Sequence, residues 1–123
     1  MLAKRARPKL RTDGPKCEWP RHRKFVRGHT CIVPGCADGP IEACHVRKGL
    51  PSNTPDFARG GVGKKPHDCF VFPACSKHHK SQHAIGELSF AALHRINLLR
   101  EALDLARRSP CEEVRMFLKE YGL

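Results

Sequence analysis

Asp68-Cys69-Phe70-Val71-Phe72-Pro73-Ala74-Cys75-Ser76-Lys77-His78-His79-Lys80-Ser81-Gln82-His83 packs an unusual amount of ligand chemistry into sixteen residues. The stretch holds one carboxylate, a short alternating apolar run able to form a strand, a Cys-x2-His pair and a His-x3-His pair. A Cys-x2-His pair sets two soft or borderline ligands around one turn. Histidines at i and i+4 share a helix face, from which both imidazoles can reach a single ion.

Upstream, Cys31 and Cys36 form a second pair, and Pro34-Gly35 between them makes the tight turn that brings two thiolates to one ion. Cys31, Cys36, Cys75 and His78 are therefore the four ligands a structural zinc ion needs. His79 and His83 are left outside that completed set, which implies a second, more open metal site of the catalytic kind. Because His78 and His79 are adjacent, an exchange of their roles stays open on spacing alone. Pairing of His78 with His83, at i and i+5, is the weaker geometry.

The 123 residues form one domain whose apolar core alone would be marginal, and a structural metal helps explain how so short a chain folds. Residues 1–30 carry ten Lys or Arg against Asp13 and Glu18, which is +8 of the chain's net +11. Residues 1–18 read as a basic arm, disordered until a polyanion binds, and nucleic acid is the expected partner. No apolar run approaches the roughly 20 residues of a membrane span, so no membrane association is expected. The opening Met-Leu-Ala-Lys-Arg-Ala-Arg lacks the apolar centre of a signal peptide. The seven cysteines are accordingly read as reduced thiols and the compartment as cytoplasmic. Cys17, Cys69 and Cys111 have no partner at ligand spacing and read as small packed residues.

Taken in order, residues 19–26 suit a short helix with its aromatic side on the core and Arg21, Arg23, Lys24 and Arg27 outward. Ile41 to Val46 reads as a strand with Ile41, Ala43 and His45 on one face. Residues 47–67 form a long loop in which Gly60-Gly61-Val62-Gly63-Lys64-Lys65 offers amides and ammonium groups to a phosphate. Cys69 to Ala74 reads as the second strand, ended by Pro73. A helix from Ser76 then carries His79 and His83 and closes at Gly86. Beyond it Ile85, Leu88, Ala92, Ile96, Leu99, Leu103 and Ala106 keep helical spacing, as one helix or several broken near Gly86 and Asn97. Ser109-Pro110-Cys111-Glu112 reads as a capping box opening a last helix that buries Val114, Phe117 and Leu118.

Strand with His45, long loop, strand with Asp68, then helix with His79 and His83 resembles the HNH endonuclease superfamily. More narrowly, the elements Ala-Cys-His-Val-Arg, Gly-x-Gly-Lys-Lys-Pro-x-Asp, Pro-x-Cys-x2-His-His and His-x2-Gly-Glu-x2-Phe resemble phage and prophage HNH proteins related to Ref-type recombination endonucleases. The resemblance implies an α+β fold: a small ββα-metal module with a structural zinc knuckle over residues 31–90. C-terminal helices over 91–123 complete a domain spanning 19–123, preceded by the basic arm. It also implies His45 as general base, Asp68 as the middle residue, and His79 and His83 as ligands of a catalytic Mg²⁺ or Mn²⁺.

One position departs from the commonest pattern. An Asp or His that ligates the metal often precedes the base, whereas this chain has Cys44, a poor partner for a hard cation. The favoured expectation is that Asp68 supplies the oxygen ligand; the alternatives are a softer ion or a Cys44 that simply packs. Arg47, Lys64, Lys65, Arg23, Lys24 and Arg27 are expected to hold the DNA backbone, contacts that position DNA without reading its sequence. The expected activity is hydrolysis of DNA phosphodiester bonds with low intrinsic specificity, in phage or prophage recombination or DNA processing and with a recombination or phage protein as a further partner. The competing expectation is a non-catalytic, zinc-stabilised nucleic-acid-binding module.

Overall fold

The computed structural model describes residues 15–123. The basic arm lies outside the described residues as far as residue 14. From Pro15 the chain is laid against the body, where the Cys17 carbonyl accepts the Asp68 amide at 3.0 Å.

The described residues form a small α+β unit. Helix α1 (Pro20–Arg27) precedes strand β1 (Ile41–His45). Strand β2 (Val71–Cys75) runs directly into α2 (Ser76–Ile85), followed by α3 (Glu87–His94), α4 (Leu98–Arg107) and α5 (Glu112–Tyr121). The strands pair antiparallel with Ile41 opposite Cys75 and His45 opposite Val71.

Every residue of β2 is buried, because the strand separates two apolar groups. Phe70, Phe72 and Phe90 lie in the larger one, with Leu98, Ala102 and Val114 from the C-terminal helices. Val71 packs in the smaller one with Val26 of α1 and Leu105 of α4. The second strand differs from expectation at both ends. It begins only at Val71, after a 3-10 turn over Asp68–Phe70, and it continues through Pro73 to Cys75. Proline is tolerated here because the Pro73 carbonyl accepts the Ile32 amide at 2.8 Å on the edge away from β1. The missing N–H points to that same outer edge, so the β1–β2 ladder loses no bond.

The apolar spacing after α2 resolves into three helices. Gly86, at φ +94°, ends α2, and its amide bonds the Gln82 carbonyl. Arg95 adopts a left-handed conformation after α3, and the Asn97 side chain caps α4 through the Arg100 amide at 3.0 Å. These breaks rotate Ile85, Leu88 and Ala92 to the surface, while Leu98, Ala102, Leu103 and Ala106 remain inside. The expected capping box at Ser109 does not form. The Ser109 hydroxyl is occupied by His22 Nδ1 at 2.7 Å and by the Cys111 amide at 3.0 Å, and α5 starts at Glu112.

The long connection between the strands is not structureless. It contains a 3-10 turn at Asp56–Ala58 and a tight reversal in which Gly61 and Lys64 exchange backbone bonds. Gly60 is required in that reversal: its φ is +78°, and a Cβ there would meet the Pro66 nitrogen at 2.8 Å. Phe57 packs edge-on against Phe117 and Tyr121, and His67 stacks on Phe117 at 3.8 Å, so α5 backs the loop that leads to Asp68.

Candidate active site and metal centre

The first cluster sits where β2 meets α2. Cys75 is the N-cap of α2, so its thiol and the His78 ring in the first turn lie on the same side of the junction. The 31–36 turn is folded over them. The ligand atoms of Cys31, Cys36, Cys75 and His78 all lie within 4.8 Å of one another. His78 Nδ1 is 3.2 Å from Cys75 Sγ and 3.4 Å from Cys31 Sγ, and the Cys36 and Cys75 sulfurs are 3.9 Å apart. A tetrahedral zinc ion with ordinary bond lengths spaces its sulfurs about 3.8 Å apart and sulfur from nitrogen by about 3.5 Å. These residues therefore fit a structural metal such as zinc.

Burial raises the Cys75 thiol. The amides of His78 and Lys77 and the neighbouring thiols of Cys31 and Cys36 outweigh it and bring Cys75 below its ordinary value. Cys36 moves the other way, the Asp38 backbone bond on it being outweighed by burial and by the Cys31 and Cys75 thiols. His78 rather than His79 joins the sulfurs, because one residue's advance along the helix turns His79 about 100° away.

The second cluster is centred on Asp68, which is buried at the floor of a cleft of about 1090 Å³. One carboxylate oxygen contacts His45 Nε2 at 2.9 Å; the other accepts the Trp19 amide at 2.6 Å and an Arg23 guanidinium N–H. Burial opposes ionisation of Asp68, but the His45 and Trp19 hydrogen bonds and the Arg23 charge outweigh it and hold the carboxyl below its ordinary range. Arg23 was expected to point outward. Instead it turns onto Asp68, because a buried carboxylate needs a countercharge and α1 crosses directly over it.

The two oxygens of Asp68 receive three donors, Trp19, Arg23 and His45. Among the described residues the Cys31, Cys36, Cys75 and His78 group is the one set of three or more such side chains close enough to share an ion. Cys44 packs: it is wholly buried, and burial pushes its thiol up to about 12.

The cleft wall includes Lys16, Arg23, Arg27, Lys64 and Lys65, with Glu18, Glu42, His45 and Asp68 as its acidic and imidazole members. Lys24 is exposed but does not line the cleft. Arg47 is exposed and does not line the cleft; its guanidinium donates to the Lys64 carbonyl at 3.0 Å and braces the glycine reversal. Both oxygens of Glu87 accept the Arg47 amide, fixing the chain as it leaves β1.

On α2, His79 Nε2 and His83 Nε2 stand 3.1 Å apart, as expected for i,i+4 neighbours. Two nitrogens bound to one ion at ordinary lengths are roughly 3.0 to 3.4 Å apart, so the pair fits two adjacent positions on a divalent cation. His79 Nδ1 contacts Glu42 Oε1 at 2.6 Å. Glu42, Trp19 and the inward turn of Arg23 join the site only through the fold. A signal for Glu42 was present, since it is the one charged residue in the Ile41–His45 strand. No comparable signal marked Trp19, whose contribution is a backbone amide.

No helix among the described residues is long and apolar enough to cross a membrane. Comparison of the chain with family models, curated proteins and solved structures finds no match.

Proposed function

We propose that the protein is a metal-dependent endonuclease of the HNH (ββα-metal) kind, hydrolysing DNA phosphodiester bonds with low intrinsic sequence specificity. The observation that carries this reading is the bond between His45 Nε2 and the buried Asp68 carboxylate at the wall of a basic cleft. His45 lies on the strand that pairs with the one leading into the His79 and His83 helix.

Asp68, ionised and with Arg23 and the Trp19 amide holding its other oxygen, takes the Nε2–H of His45. That fixes the tautomer and leaves the Nδ1 lone pair free to accept a proton from an attacking water. The same carboxylate stabilises the imidazolium as it forms. Lys64, Lys65 and Arg27 bind the phosphodiester backbone from the cleft wall. A divalent cation such as Mg²⁺ or Mn²⁺, held by His79 and His83, would supply positive charge for a non-bridging oxygen and the departing 3′ oxygen. Zinc bound by Cys31, Cys36, Cys75 and His78 would have a structural role, holding the 31–36 turn to the strand–helix junction. Backbone contacts alone do not read sequence, so targeting falls to DNA structure or to a partner protein of recombination or phage origin.

The test is cleavage of supercoiled plasmid with Mg²⁺, Mn²⁺ or chelator, beside the His45→Ala variant. Metal-dependent nicking that falls on the order of 10²–10⁴-fold in the variant, with DNA binding retained, is the expected result. Salt-sensitive DNA binding without cutting under any ion would replace this reading with a zinc-stabilised binding module.

A further inference from the structure

Resting on the reading of His79 and His83 as a metal pair, we infer that Glu42 is the carboxylate that positions His79 for the ion. Glu42 Oε1 lies 2.6 Å from His79 Nδ1, a short, charge-assisted contact that requires the proton of His79 to sit on Nδ1. Its Nε2 is then a bare lone pair, and it faces His83 Nε2 at 3.1 Å. Two imidazole nitrogens at that separation need a proton or a cation between them. With Nδ1 taken by Glu42, both can turn lone pairs to one cation.

Glu42 does not share the ion itself. Its oxygen meets the ring on the nitrogen opposite the metal-facing one, and the three side chains do not bring one ligand atom each into mutual reach. A carboxylate in this place fixes ring orientation and raises ligand basicity. Its location joins the two halves of the site: Glu42 lines the cleft beside Ala43 and His45 on β1, while its carboxylate crosses to α2. The bland alternative is a surface ion pair, since the two side chains are 43% and 26% exposed, and such a pair has little effect on anything beyond itself.

The experiment is calorimetric titration of the zinc-loaded, full-length protein with Mn²⁺, alongside Glu42→Gln and His83→Ala, with melting temperatures recorded for each. One Mn²⁺ site beyond the zinc, lost in His83→Ala and weakened about 10–100-fold in Glu42→Gln at unchanged melting temperature, is expected. Equal Mn²⁺ affinity in wild type and Glu42→Gln would overturn the role of Glu42 and leave the metal pair standing. A wild type without a second Mn²⁺ site, or a His83→Ala variant that binds as well, would overturn the pair and the inference together.

Discussion

Replacing Asp68 by asparagine tests the catalytic geometry through a single atom. One carboxylate oxygen of Asp68 receives the Trp19 amide and Arg23, and the other meets His45 Nε2. An asparagine keeps one oxygen, and two donors on the Trp19 and Arg23 side claim it. Its NH₂ group then faces His45 Nε2, which must accept, so the imidazole proton moves to Nδ1 and the nitrogen proposed as the base loses its lone pair. The expected fall in cleavage rate is on the order of 10²–10⁴-fold, the full contribution of general base catalysis. Arg23 also loses its countercharge. A fully buried pair broken this way costs about 3–5 kcal/mol. The Arg23 side chain is 27% exposed, so water offsets part of that, leaving about 1–3 kcal/mol and a melting point lower by several degrees. Single-turnover plasmid nicking, measured well below the melting temperature of the variant, separates the two effects. A folded Asp68→Asn protein that cuts within about threefold of wild type would refute the tautomer argument.

Two further outcomes are expected. Cobalt substituted for zinc should give the strong visible absorption of a tetrahedral thiolate site at one ion per chain, with chelation lowering the melting temperature sharply, because a metal held there would close a loop between the 31–36 turn and the β2–α2 junction; an unchanged cobalt spectrum in Cys36→Ser would remove Cys36 from the set. His22 and His67 are buried and neutral, with burial the main cause of values lowered to about 4. The unfolded chain therefore takes up protons first, and stability, complete above about pH 6.5, falls as pH drops toward 4, by about 3 kcal/mol for one such histidine. Asp68, whose value is lowered, adds a loss at still lower pH as its carboxylate is protonated. Imidazole NMR that shows His22 titrating near pH 6.5 in the folded state would contradict this.

The metal quartet was legible because each pair is local. Cys31 and Cys36 flank a Pro-Gly turn, Cys75 and His78 flank one helical turn, and only one further step, the meeting of the pairs, needed the fold. The i,i+4 relation of His79 and His83 was equally local. The helix breaks at Gly86 and Asn97 were marked by residues whose backbone and side-chain chemistry end and begin helices. The capping box failed because Ser109, by sequence a free hydroxyl, is claimed by His22 from 87 residues away. Arg23 read as a solvated helix residue because nothing within α1 reveals a buried carboxylate beneath it.

Residue chemistry and short-range spacing, then, determined by themselves that this chain carries a Cys₃His ligand set, a histidine pair on one helix face, a strand on either side of a long loop, and a strong excess of positive charge. Those properties depend on bond lengths, on 3.6 residues per turn and on alternation along a strand, all of which act over a few residues. Which carboxylate serves which histidine was decided only when the strands paired. Asp68 and Glu42 lie 23 and 37 residues from the imidazoles they contact. Their partners follow from the β1–β2 register and from the packing of α1 and α2 against it, where burial makes an unpaired charge too costly to leave and so selects Arg23 and His45 for Asp68.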